Sequence, residues 1–322
     1  MESKNNWKAW LYLAPTLILM LIFTFYPLVN TIIISFLKDY NYTSGSFAGT
    51  SFTFDNYLAI FGLSGFTTSG VFSYDTTFLS YALVNTLIIV FVTVPASVIL
   101  SLFIAVGLNS IKWFHKIFQT IFFIPYVTNS IAIGMVFAVM FQEDFGLINS
   151  IFGIDDKNWI GVGANRWDAM IVLCIYIVWH ALPYKILIFL SGLQGIDKQY
   201  YQAAKIDATP RFKTFRRITI PLLSPQIAYV CITSFIGAFK EYSSVKALLN
   251  NPGPTGAQDN SLLTIVYYIY NGLAQVNTVS MAEDHLRKLK SYKAKHAAVV
   301  LLLIILFFTF INLYVSSKKV HY

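Results

Sequence analysis

Charge is what this sequence has little of. Asp, Glu, Lys and Arg make up 12% of its 322 residues, where a soluble domain carries about a quarter. A soluble chain of this length has a surface that so few ionisable groups cannot cover. Cysteine is nearly absent too. Cys174 and Cys231 are the only two, both inside apolar stretches, which fits small buried hydrophobes and excludes a disulfide framework or a thiolate metal site. Pro and Gly are sparse at 10 and 17, and with 56% hydrophobic residues this excludes a disordered chain. Chemistry-bearing motifs are missing as well. The five histidines are scattered without an HExxH pattern, no G-x-S-x-G occurs, and there is no Gly-Lys dipeptide from which a phosphate loop could be built. The chain therefore cannot cradle ATP by that device, and it reads as a non-enzyme.

What is present is apolar sequence in long runs, with a mean hydropathy of +0.61. A spanning helix needs about 20 such residues. Six stretches answer to this, at 11–37, 79–108, 117–141, 169–193, about 222–242 and 297–315. Several contain prolines, which membrane helices tolerate. The first run is too long for a cleavable signal and lacks a small-residue cleavage site. The expected fold class is thus an all-α integral membrane protein with six transmembrane helices. A seventh apolar stretch, 262–276, is short and holds Gly272, so it fits a re-entrant or interfacial element within an external loop at 243–296.

The net charge of +8 would point to nucleic acid in a soluble protein. Here its placement carries the information. The loops after the second and fourth spans and the C-terminal tail are basic, through Lys112, Lys116, Lys198, Lys205, Arg211, Lys213, Arg216, Arg217, Lys318 and Lys319. The loops after the first and third spans are mainly acidic. By the positive-inside bias both termini lie in the cytoplasm, and no nucleic-acid partner is implied.

The most distinctive segment is the loop at 194–221. Asp197 is placed to cap a short helix over 200–206, and Pro210 pushes Thr209 out of helical geometry. A second short helix then runs to Pro221, where the next span begins. Ala203 and Ala204 on the first helix, with Phe212 and Phe215 on the second, make a compact knob. Such a knob fits a groove on a soluble partner; it also fits an amphipathic connector lying on the membrane.

This loop resembles the cytoplasmic coupling-loop signature of binding-protein-dependent ABC importer permeases, Glu-Ala-Ala-x-x-x-Gly followed by Ile-x-Leu-Pro. The matching residues are Gln202, Ala203, Ala204, Asp207, Ala208, Phe215, Ile218, Ile220, Pro221 and Pro225, with Tyr201 beside them. Trp179, the Ser191-Gly192-Leu193-Gln194 run, Ile124-Pro125, Gly146-Leu147-Ile148-Asn149 and Asn251-Pro252-Gly253-Pro254 are similar to the carbohydrate-uptake branch. Two departures stand out. Gln202 replaces the signature Glu and loses its charge, and Ala208 replaces Gly at a position where positive φ would strain it.

The resemblance covers nearly the whole chain, 1–322, as one permease domain. It implies a transport subunit of the bacterial inner membrane, with ATP and Mg used by separate subunits and no cofactor of its own. The implied partners are a second homologous permease, two ATPase subunits and an extracellular solute-binding protein, all around a lipid bilayer. The implied cargo is a carbohydrate, an oligosaccharide or an anionic one. Other solutes such as glycerol phosphate, a secondary transporter and a membrane anchor are the alternatives.

Polar residues inside spans are expensive and usually functional or paired. Asn85, Asn129, His180, Tyr184 and Lys185 are the candidates for the substrate path. Hydrogen bonding between helices accounts equally for the two asparagines. Lys185 lies close enough to the cytoplasmic end of its span to snorkel. A final feature is a basic collar ahead of the last span: Arg287, Lys288, Lys290, Lys293 and Lys295. It fits a surface helix with Leu286, Leu289 and Tyr292 towards lipid, and it fits an electropositive entrance that steers an acidic partner or solute. The entrance reading predicts that changing Lys288, Lys290, Lys293 and Lys295 to Gln weakens uptake more at low than at high ionic strength. Uptake assays giving the same rates at both would remove that reading.

Overall fold

The computed structural model describes residues 6–38, 40, 50–61, 66–68, 71–73, 77–111, 115–154, 157–161, 163–249, 262–274 and 284–319. These residues form thirteen helices and two small antiparallel ladders. Four helices are long and apolar enough to cross a membrane: α1 (Trp7–Ser35), α3 (Phe78–Ser110), α7 (Arg166–Gln194) and the Ala294–Lys318 part of α13 (Asp284–Lys319). Two bent pairs bring the number to six if each counts as one span. The first pair is α4 (His115–Val127) and α5 (Ser130–Met140), bent by 104°; the second is α9 (Arg211–Leu222) and α10 (Ser224–Phe239), bent by 69°. Short helices complete the set: α2 (Asp55–Ile60), α6 (Leu147–Phe152), α8 (Lys198–Ile206), α11 (Ser243–Leu249) and α12 (Ile265–Ala274). At ten residues, α12 is too short to span.

Two details differ from the sequence expectation. The stretch 117–141 does not run as a straight helix, because Asn129 leaves helical geometry and its side chain accepts a hydrogen bond from the Ile131 amide at 2.9 Å, starting a new helix. The collar is not a separate surface helix: its backbone is the first turns of the 36-residue α13. The side chains of Arg287, Lys288, Lys290 and Lys293 lie outside the described residues, as does Asn251-Pro252-Gly253-Pro254.

The chain divides into two compact units. One comprises Met1–Thr76 and Ile269–Val300. Within it, β1 (Leu37–Lys38) pairs with β2 (Ser51–Phe52), setting Leu37 opposite Phe52. Phe36, Phe52, Phe54 and Tyr57 form an aromatic cluster, Phe36 stacking on Phe52 at 5.3 Å. The Ser35 and Tyr57 hydroxyls lie 2.6 Å apart, and His296 donates from Nε2 to the Ser35 carbonyl at 2.7 Å. These bonds tie the end of α1 to α2 and to α13. Burial raises the Tyr57 phenol pKa, partly offset by its bond to Ser35.

The other unit comprises Thr77–Tyr268 and Leu301–Tyr322. At its centre α3 packs on α7 and α10. The buried face of α3 carries Ala82, Thr86, Thr93, Ser97, Ser101 and Ala105, small side chains at helical spacing that let backbones approach. Three of the hydroxyls donate back along the helix, Thr86 to the Ala82 carbonyl at 2.7 Å, Ser97 to that of Thr93 at 2.6 Å and Ser101 to that of Val98 at 3.0 Å, which meets their donors without a partner across the interface. α7 continues unbroken through Pro183.

α5 and α11 approach closely where a Cβ on Gly134 would overlap both the side chain and the backbone of Ala247. Gly134→Ala is expected to destabilise by about 1–3 kcal/mol, the usual range for overpacking. Thermal unfolding in detergent measures this, and adding Ala247→Gly should return part of the loss.

Candidate functional site

The segment after α7 is built from short-range rules. Asp197 ends the approach to α8 with extended backbone, and its carboxylate accepts a hydrogen bond from the Gln199 amide at 2.9 Å. This is the cap expected from the sequence. The far end of α8 closes just as definitely. The Thr209 amide reaches back to the Ala204 carbonyl at 2.9 Å, and the Ala208 amide to that of Lys205 at 3.1 Å. That pair of bonds is a Schellman closure, whose central residue takes the left-handed conformation and is usually glycine. Here the residue is Ala208, with φ +50. The strain expected at this position is present, and the closure explains why glycine suits it. Pro210 follows and α9 begins at Arg211.

The two short helices are joined by a bond of 3.2 Å between the hydroxyls of Tyr201 and Thr219. Ala204 is buried, while Ala203, Gln202 and Asp207 are exposed. Phe215 stacks on Phe103 of α3 with ring centres 6.0 Å apart, and Ile218 and Pro221 are half-buried. Phe212 does not take part in the knob as the sequence had suggested: it is 75% exposed, as Ile206 is at 85%. The loop thus presents a small rigid body with an apolar tip, surrounded by Lys198, Lys205, Arg211, Lys213, Arg216 and Arg217.

The candidate path residues separate into two kinds. Asn85 is fully buried, donates to the Leu263 carbonyl at 2.9 Å and accepts from Arg166 at 2.7 Å. It fastens α3 to the segment before α12 and to the start of α7, aided by Thr86, which accepts from the Ile265 amide at 3.0 Å. Asn129 caps α5 at the bend. Lys185 does not snorkel. It is buried, and its ammonium donates to the Ser97 hydroxyl on α3, because the hydroxyl stripe offers an acceptor that cannot be seen along α7 alone. His180 lies beside Tyr176, with ring centres 5.8 Å apart.

Tyr184 behaves differently. Its hydroxyl is 3.2 Å from that of Tyr229 on α10, and its ring stacks at 5.9 Å on Tyr126 of α4. All three tyrosines are exposed. Tyr126 and Tyr229 were not singled out in the sequence, where they are two among 20 tyrosines. Their positions close to the two helix breaks are the signal that would have found them. Among the described residues no cluster of His, Cys, Asp or Glu is suited to holding a metal.

With this geometry in view, the comparisons with known proteins are consistent. Residues 97–320 match the family described as binding-protein-dependent transport system inner membrane component, and the chain belongs to that family. An arabinooligosaccharide transport system permease of Bacillus subtilis is 33% identical over 82% of this chain and 78% of its own. A lactose transport system permease of Rhizobium radiobacter is 30% identical, covering 82% of both chains. A trehalose/maltose transport system permease of Thermococcus litoralis is 30% identical over 80% of this chain and 82% of its own. In fold the chain is similar to a solved bacterial ABC transporter that imports the acidic polysaccharide alginate, with a TM-score of 0.72, 18% identity and coverage of 98% and 96%.

The Schellman closure gives a direct test. Ala208→Gly removes the left-handed penalty of about 1–2 kcal/mol, less the added freedom of the unfolded chain, for a net gain of up to about 1 kcal/mol. Slower amide hydrogen exchange at Ala208 and Thr209 is the expected readout, and Ala208→Val should speed it.

Proposed function

We propose that this chain is one transmembrane permease subunit of an ATP-driven ABC importer for a carbohydrate, forming half of the translocation path. The observation that carries the mechanism is the loop from Asp197 to Pro210, a capped and closed helix with an exposed tip in a member of this family. The names of the relatives, with lactose, arabinooligosaccharides and trehalose/maltose among them, support a sugar and favour an oligosaccharide. They give no support to glycerol phosphate, and family membership leaves the secondary-transporter alternative without a basis.

In this reading the chain crosses the bacterial inner membrane six times, each bent pair counting as one span. Both termini and the coupling loop at 194–221 face the cytoplasm, and 243–296 is an external loop with α12 lying partway in. The chain works with a second homologous permease, two ATPase subunits that use ATP and Mg, and an extracellular solute-binding protein. The knob around Tyr201, Gln202, Ala203, Ala204, Asp207 and Ala208 lies in a groove of an ATPase. ATP closes the ATPases because it binds their closed state better, and that differential affinity shifts the permease between inward and outward access.

The knob does not move alone. Its bond from Tyr201 to Thr219 and the stack of Phe215 on Phe103 tie it to α9 and α3, so displacement of the loop is passed to the spans. Tyr126, Tyr184 and Tyr229 supply a stacking face with hydroxyls at its edge, suited to the apolar faces and hydroxyls of a sugar. Exposed Asn129 follows Tyr126 by three residues, at the bend. Asn85 and Lys185 serve the packing of the path's wall, and the basic residues of α13 supply positive charge at the outer mouth.

Co-purification from cells that express the whole transporter tests this reading. Exposed Ala203→Arg together with Asp207→Ala should lower the amount of ATPase retained at least about tenfold, the loss that follows from blocking a docked contact. Undiminished ATPase, or sugar uptake by this chain alone in vesicles, would reject it. A reporter at Tyr322 displayed outside the cell would reject the six-span orientation.

A further inference from the structure

The segment from 194 to 221 carries six bases, Lys198, Lys205, Arg211, Lys213, Arg216 and Arg217, against two acids, Asp197 and Asp207. All six bases are exposed. None is paired with an acid among the described residues, where the ion pair formed is Lys157–Asp168 at 3.3 Å. Three of the six gather on α9. Lys213 lies one turn before Arg216 and Arg217, a spacing that puts all three on one side of a helix. The side turned to the bundle is a different one. There Phe215 stacks on Phe103 of α3, and Thr219 is buried beside the Tyr201 hydroxyl. Like charges one turn apart repel one another, and no described acid offsets this repulsion. The basic face of α9 is thus shaped for an anion supplied from outside the chain.

The direction of α9 narrows the occupant. It is set at 69° to α10, the apolar part of that bent pair. With α10 crossing the membrane, α9 runs nearer to the membrane plane than to its normal. α9 ends at Leu222 and α10 begins at Ser224, so the bases lie immediately beside a spanning segment. Basic clusters in that position, on the cytoplasmic side, hold anionic phospholipid. Phe212 supplies a second sign. It is 75% exposed and precedes Arg216 by one turn, which sets an aromatic ring at the edge of the basic face. A helix in the membrane plane with bases and an exposed ring together suits the boundary between headgroups and acyl chains. A soluble acidic partner would meet the charges but not the ring and the bend. We infer that the Lys213, Arg216 and Arg217 face of α9 binds the phosphodiester headgroups of anionic phospholipid in the cytoplasmic leaflet, with Phe212 among the upper chain segments. This rests on the six-span orientation proposed above and adds a lipid partner to it, on α9 rather than on the tip of α8.

The test uses the complete transporter in vesicles of phosphatidylglycerol and phosphatidylcholine in equal parts. Phe212→Trp places a fluorescent reporter at the site, and the signal of the unchanged chain is subtracted. Phosphatidylglycerol with brominated chains should quench the introduced tryptophan at lower content than brominated phosphatidylcholine does. Rising salt should reduce that preference, because exposed charges are screened. Each base near an anionic surface is worth about a fivefold change in affinity. Lys213→Gln with Arg216→Gln and Arg217→Gln should therefore lower the preference at least about fivefold, whereas Arg216→Lys with Arg217→Lys should keep it. Circular dichroism checks that the helices are intact, and ATPase retention should stay as in the wild type. Equal quenching by the two lipids, with or without the three bases, would overturn this inference and leave the importer reading in place. Loss of ATPase from the Gln variant with its lipid preference unchanged would assign the bases to the ATPase contact and overturn it as well. Displacement of the lipid by inorganic phosphate at constant ionic strength would make the face a free-anion site, with the same result. A reporter at Tyr322 displayed outside the cell would overturn it together with the orientation on which it rests.

Discussion

A bilayer gives a polar group no water to fall back on, and the packing of α3 on α7 is organised by that constraint. The hydroxyls of Thr86 and Ser97 close onto carbonyls of their own helix, which keeps the contact face small and lets the helices approach. Ser97 has acceptor capacity left, and the Lys185 ammonium takes it. An isolated ammonium buried at this depth would cost several kcal/mol. One serine in a row of small residues thus permits both the close approach and the buried cation. At the other end of the same pair, Asn85 performs the equivalent task by accepting from Arg166 and donating to Leu263. The α3–α7 pair is therefore pinned at two heights, and α10 packs on it as a third member.

The loop at 198–222 is joined to that pair and is itself closed at both ends of its first helix. α8 is stiff because both ends are closed by hydrogen bonds, at Asp197 and at Ala208–Thr209. Its connection runs through one hydroxyl pair and one aromatic stack, Tyr201 to Thr219 and Phe215 to Phe103. The stack is the more consequential of the two, since it skips α10 and lands directly on α3. The closure is kept although an alanine takes the left-handed position.

What the sequence disclosed follows the range of the forces involved. The cap at Asp197, the stop at Pro210 and the strain at Ala208 are local, each decided within four or five residues, and all were readable. The helices themselves were readable because their apolar runs are long. The break at Asn129 was available in principle, since asparagine is a strong cap and Pro125 sits four residues earlier, yet the unbroken apolar content hid it. Lys185 was misread for a different reason: its partner is 88 positions away, and a snorkelling lysine and a latched one look alike along a single helix. The tyrosine cluster was hidden by abundance, because three aromatic residues from three helices meet only after the helices pack.

The two breaks also bear on which side of the unit meets water. A bent helix releases backbone groups, which lipid cannot satisfy. At the first break Asn129 and Thr128 absorb two of them, through the Ile131 amide and the Ile124 carbonyl. At the second, Leu223 is wholly buried and its amide bonds to Thr219. Irregular backbone at membrane depth is tolerated where it is covered by protein or lines an aqueous cavity. Exposed Asn129 is covered by nothing in its own unit, so lipid is the one neighbour that does not suit it. Tyr126 lies one turn before this break, and Tyr229 lies shortly after the other. Phenols facing hydrocarbon would pair their hydroxyls mainly with each other, as Tyr184 and Tyr229 do, whereas the Asn129 side-chain oxygen is met by the Ile131 amide. The breaks and the phenols thus lie on the same three helices, α4, α7 and α10.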